Sequence, residues 1–168
     1  MKKIVLITLL CILSSSGYAA TVQNATVTVK INPVFSISID RDDIDFGIMK
    51  PGQTKWDIPA TEIKVNVKSN TGNPWYLRIN NTDDLSSGSA IIDNDNFFWY
   101  GWTEGKGKWY GTGADQLMIT PVIAYASTDQ EGLNMPNGTN NYFKFKLKVP
   151  QNQVGGRYET IVQFTITE

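Results

Sequence analysis

Apolar and polar residues alternate along most of this chain. Val27, Val29 and Ile31 share one parity, and Phe35, Ile37 and Ile39 continue it past Pro33. Ile63, Val65 and Val67 follow, separated by Lys64 and Asn66; Trp75, Leu77 and Ile79 come next. Phe143, Phe145, Leu147 and Val149 alternate with Lys144, Lys146 and Lys148, and the chain closes on Tyr158, Thr160, Val162, Phe164 and Ile166. A period of two puts one face of a strand in a core and the other in water. Beyond the first twenty residues, no run shows the three-and-four spacing of an amphipathic helix. Turns punctuate the strands at Pro51-Gly52, Thr71 to Pro74, Gly105 to Gly107, Pro136-Asn137-Gly138 and Gly155-Gly156. Roughly eight to ten short antiparallel strands spaced in this way predict an all-β, immunoglobulin-like sandwich. Within it, "IDFGIMKPGQTKWDI" (44–58) reads as two strand pieces joined at Pro51-Gly52, with Gly47 at a bulge or a close backbone approach.

The first twenty residues have a different character. "MKKIVLITLLCILSSSGYAA" carries two lysines, an apolar stretch from Ile4 to Leu13, then small and polar residues. That is the layout of a secretory signal peptide, with an apolar core too short for a permanent span. The expected cut follows Ala19, with Ala20 as the alternative, giving a signal at 1–19 and one domain at 20–168. Cys11, the only cysteine, lies in the signal. The exported domain is therefore expected to stand on burial and sheet hydrogen bonds, without disulfides. Loss of Lys2 and Lys3 takes the formal charge from −1 to −3. Such a net charge selects neither nucleic acid nor an anionic membrane. The expected location is periplasm, cell surface or extracellular space.

Catalytic options are few. The chain has no histidine, which removes Ser-His-Asp and Cys-His nucleophiles and imidazole metal sites. No Gly-rich phosphate loop follows a strand and opens a helix. Paired carboxylates remain, as in glycoside hydrolysis, but the acids are scattered over predicted loops. "DRDDID" (40–45) and "DNDN" (93–96) are the best offers to calcium, and neither has the spaced-ligand loop. We therefore expect no enzyme, no cofactor and no metal site.

The most unusual stretch is "NFFWYGWTEGKGKWYGTG" (96–113). Read as a hairpin, it brings Trp102 near Trp109 across the turn. Consecutive aromatics on a strand point to opposite faces, so Phe98, Tyr100 and Trp102 lie opposite Phe97 and Trp99. One face is core. The other is either covered by a long loop such as 128–140 or is a contact surface. Phe98, Tyr100, Trp102, Trp109 and Tyr110 are the candidate contacts for a protein or a glycan, since flat aromatic faces stack on sugar rings and anchor interfaces.

"IDFGIMKPGQT" followed by "IKVNVKSNTGNPWYLRI", together with the ending "VPQNQVGGRYETIVQFTITE", resembles exported bacterial immunoglobulin-like sandwiches of the pilus-subunit and spore-coat-protein-U type. A weaker resemblance, on "WYL" at Trp75 to Leu77, is to the WxL surface domain. The first resemblance implies a structural or adhesive surface protein that acts through sheet edges and an aromatic patch. The strand of Val27, Val29 and Ile31 is expected to pair within its own sheet, since the chain also supplies a full final strand; the resemblance carries the other reading, a strand donated to a neighbour. A carbohydrate-binding module on the aromatics of 97–110 is the alternative function, and a carboxylate-dependent hydrolase the third.

Overall fold

A computed structural model describes residues 25–57, 62–113 and 115–168. The expected signal peptide lies outside the described residues. Residues Asn32–Glu168 form one compact unit; Ala25 to Ile31 belong to a separate N-terminal one. Twelve strand segments are present among the described residues. They are β1 (Phe35–Ile39), β2 (Thr54–Trp56), β3 (Ile63–Ser69), β4 (Tyr76–Asn81), β5 (Leu85–Ser87) and β6 (Ala90–Ile92). They continue with β7 (Phe97–Thr103), β8 (Lys108–Trp109), β9 (Asp115–Gln116), β10 (Val122–Ala126), β11 (Thr139–Lys148) and β12 (Val162–Thr167). The only helical turns among the described residues are 3-10, at Asn94–Asn96 and Asp129–Leu133. The protein is all-β.

The larger sheet runs β1-β3-β11-β7-β9, with β2 also on β11; the smaller runs β12-β4-β10-β8; β5 and β6 make a separate hairpin. All pairings are antiparallel. The alternation read from the sequence sets the layers. On β11, Phe143, Phe145 and Leu147 are buried between the sheets, while Tyr142, Lys144, Lys146 and Lys148 point the other way. Val65 and Val67 of β3 and Leu77 and Ile79 of β4 meet them with no exposed surface. Full burial of such side chains stabilises by about 1.5–3 kcal/mol each.

The stretch 96–113 folds differently from a hairpin. Strand β7 pairs with β11 and β9, whereas β8 joins β10 in the smaller sheet. The Gly105–Gly107 turn thus crosses from one layer to the other. Gly101 explains why Trp109 comes inward. It falls in the inward series of β7, and a Cβ there would stand 2.2 Å from the Tyr142 carbonyl oxygen and 2.7 Å from the Trp109 ring. The indole fills the space a side chain would need.

The stretch 44–58 gives one strand. Its second half becomes β2, whose register sets Trp56 opposite Lys146. The first half is a wall segment that buries Phe46 against Phe97, edge to face at 5.9 Å. Gly47 has φ 61°, a left-handed turn that an L side chain resists, and its N–H donates to Asp45 Oδ1 at 2.7 Å. Arg41 anchors the start of this segment by an ion pair with buried Asp57 at 2.7 Å.

Candidate interaction surfaces

Two surfaces stand out: the outer face of the larger sheet, and a groove along one side of the sandwich. On the outer face, the register of β7 on β11 sets Trp102 opposite Tyr142, Tyr100 opposite Lys144 and Phe98 opposite Lys146. Trp102 and Tyr142 stack with centroids 4.1 Å apart and planes 13° from parallel. Trp102 and Tyr100 remain 40% and 39% exposed. The Lys146 ammonium lies between two rings, 5.0 Å from Phe98 and 5.5 Å from Trp56. The candidate loop 128–140 does not cover this face. It packs instead at the end of the sandwich, where the Glu131 carbonyl accepts from the Trp75 indole at 3.1 Å.

Charges on the outer face are organised by these contacts. The Glu62 carboxyl is held below its ordinary value, first by a backbone N–H, then by the Lys144 ammonium, with a smaller contribution from Trp102. Lys144 reaches it at 3.1 Å. Glu104 accepts from the Tyr142 hydroxyl at 2.7 Å and Asn140 at 2.8 Å. The Tyr142 bond lowers the Glu104 carboxyl and, in return, raises the Tyr142 hydroxyl.

The five aromatics singled out in the sequence are divided between the layers. Phe98, Tyr100 and Trp102 share the outer face. Trp109 turns inward, 5.9 Å from Trp99 and 5.4 Å from Phe143. Tyr110 is exposed after β8, with Lys108 over its ring at 4.5 Å. Trp56 and Tyr142 belong to the outer face, although sequence reasoning missed them. The parity of Tyr142 with the lysines of β11 is visible in the sequence, but the register that brings Trp56 beside them is not. Trp75 and Leu77 of the "WYL" motif are fully buried.

The groove, of about 910 Å³, lies between the 42–49 wall and the segment 153–162 that leads into β12. Phe97, Leu147 and Val149 of the larger sheet and Leu85 and Ile92 of the small hairpin line it. Apolar side chains stand out along its rims. Ile48 is 96% exposed, and Val154 and Ile161 are also exposed. Strands β1 and β12, from different layers, approach each other. Among the described residues, β1 pairs only with β3 and β12, whose Val162 lines the groove, only with β4. Each therefore leaves one row of backbone N–H and C=O groups without a strand partner.

The predicted N-terminal strand is in no sheet. Residues 25–34 carry no strand assignment, and Val27, Val29 and Ile31 are 92%, 79% and 76% exposed. They remain an alternating apolar row.

The acids do local work. Asp40 accepts from the Lys64 N–H, Asp84 from the Asn94 N–H, and Asp115 from the Thr112 N–H. Among the described residues, no three or more His, Cys, Asp or Glu side chains gather in a group able to hold a metal ion. No helix among them is long and apolar enough to cross a membrane.

Comparison gives this chain no family. No protein-family model and no curated protein matches it.

Proposed function

We propose that this chain is an exported, non-enzymatic structural subunit of a bacterial surface or coat assembly. Subunits join by strand addition. The segment around Val27, Val29 and Ile31 of one copy enters the groove of another, where its backbone pairs with an open edge and its side chains fill the apolar floor. The observation that carries this reading is complementarity within one sequence. An exposed, alternating apolar segment of seven residues, Ala25 to Ile31, belongs to the same chain as a groove with an apolar floor, charged walls and the edge strand β12 at Val162.

The smaller sheet ends in an edge on which a further strand can pair. Here the last strand, β12, follows β4 in its sheet and ends it. A strand from another copy fits the vacant side. Residues 25–31, fully extended, reach about 24 Å at roughly 3.4 Å per residue, longer than the six-residue strand β12 beside which they would lie.

Deleting residues 20–31 tests the proposal. The intact protein forms concentration-dependent polymers in sedimentation velocity, and the deletion variant remains a folded monomer. Polymers that survive the deletion, or an intact protein that stays monomeric at all concentrations, contradict it.

A further inference from the structure

We infer that the outer face of the larger sheet binds an acidic polysaccharide, a function separate from assembly through the groove. Its chemistry comes from cross-strand register. The outward row of β11 is Asn140, Tyr142, Lys144, Lys146, Lys148, and β3 adds Lys64, Asn66 and Lys68 beside it. On the other flank lie Phe98, Tyr100 and Trp102, with Gln116 beyond Phe98. Trp56 completes the face beside Lys146. A chain expected to carry net negative charge after export thus gathers five lysines and five aromatic rings on one side of one sheet.

The partner follows from the mixture. Exposed rings offer flat surfaces to sugar faces, as Trp102 does at 40% exposure. The exposed amide of Gln116 suits hydroxyl groups, which can both donate and accept. The lysines supply the sign. Lys68, Lys146 and Lys148 form no ion pair among the described residues. The neighbouring carboxylates are already engaged: Asp40 by the Lys64 N–H, Glu62 by Lys144, and Glu104 by Tyr142 and Asn140.

Charge density decides between polyanions. Nucleic acid carries a phosphate at every nucleotide, and its binding scales with the number of phosphates neutralised. A face with three carboxylates among five lysines opposes so dense a partner. A sugar polymer bearing carboxylates at intervals meets separate lysines and leaves Glu62 and Glu104 opposite neutral hydroxyls. Lys146, whose ammonium lies between Trp56 and Phe98, is the central contact, with Trp102 and Tyr142 as the stacking platform.

The test is retention of the purified protein on immobilised polygalacturonate, alginate and hyaluronate. Fully methyl-esterified polygalacturonate, single-stranded DNA and phosphatidylglycerol vesicles are run alongside. The inference requires binding to at least one acidic polysaccharide that weakens on raising salt and exceeds binding to the neutral ester. Lys146→Gln with Lys148→Gln should weaken it about fivefold, the scale of surface charge contacts. Trp102→Ala should weaken it about tenfold, the scale of one aromatic stack. The lysine pair is at the surface and should leave the circular dichroism melt unchanged, so its loss of binding is not loss of fold. Retention on none of the acidic polysaccharides overturns the inference. So does equal retention on the ester, tighter binding to DNA or vesicles, or binding unaffected by the lysine changes. Deleting residues 20–31 leaves this binding intact, which separates it from failure of the assembly proposal.

Discussion

The end of the sandwich capped by Asp129–Leu133 and the side bearing the groove use similar apolar residues to opposite effect. At the capped end, Trp75 is fully buried and its indole N–H is satisfied by the Glu131 carbonyl. The Glu131 carboxylate accepts from the Tyr125 hydroxyl at 2.7 Å, from the Thr128 N–H at 2.8 Å and from Thr139 at 3.2 Å. Tyr125 in turn accepts from the Gly107 N–H at 2.7 Å. A turn of chain is thereby tied down over aromatic rings. Along the groove, Ile48, Val154 and Ile161 stand in water, and β12, whose Val162 lines it, is an edge strand. Exposed apolar surface of this kind commonly marks a contact. What separates the two regions is closure: the Glu131 knot ties a turn over buried rings, whereas the bonds of the groove wall, such as the Tyr158 hydroxyl to the Val154 carbonyl at 2.7 Å, leave Val154 and Ile161 exposed.

The sharpest contrast is in stability. Trp75→Ala should cost about 3–5 kcal/mol in denaturant unfolding, as a transfer loss plus a cavity. Ile161→Ala should change the monomer's stability by no more than about 0.5 kcal/mol, while weakening assembly. Equal costs would mean that the groove is covered within its own chain. A smaller effect comes from the knot itself. Glu131→Gln replaces an acceptor-only carboxylate with an amide whose NH2 donor faces the Thr128 N–H or the Tyr125 hydroxyl, and unsatisfied buried groups of this kind cost about 1–3 kcal/mol. Smaller again is a pH effect. Burial, followed by the hydrogen bond to Glu131, raises the Tyr125 hydroxyl above its ordinary value of 10.0. The unfolded chain therefore gives up that proton first. The stabilisation is complete below about pH 10 and falls as pH rises beyond it. Tyr125→Phe should flatten this alkaline limb in pH-dependent thermal melts.

How far the sequence reveals this arrangement differs between the regions. Alternation marks β3 and β11 because each buries one face, and β12 because Val162, Phe164 and Ile166 pack against the core; Gly and Pro mark most turns. The capped end is harder to see. Trp75, Tyr125 and Glu131 meet only once three separate elements are assembled, and no local pattern announces that meeting. The run 96–113 misleads for a related reason. Its two halves have the look of hairpin strands around a glycine turn, but Gly101 and the inward Trp109 make sense only with both layers in place. On the outer face, Phe98, Tyr100 and Trp102 are legible from parity alone. Trp56 and Tyr142 are not, because they join the face through register across β2, β11 and β7. The alternation of Val27, Val29 and Ile31 is equally clear, yet no sheet contains them: period two tells which residues share a face and is silent about which strand they meet.

The most direct measurement is a methyl NMR spectrum of the chain lacking residues 20–31, titrated with a synthetic peptide of residues 21–32. Saturable shifts at Ile48, Leu85, Val154 and Ile161, with Val65 and Val67 unmoved, are the result expected if one copy's leading segment completes another's sandwich. A spectrum unaltered by excess peptide, or shifts confined to signals remote from those four side chains, would contradict it.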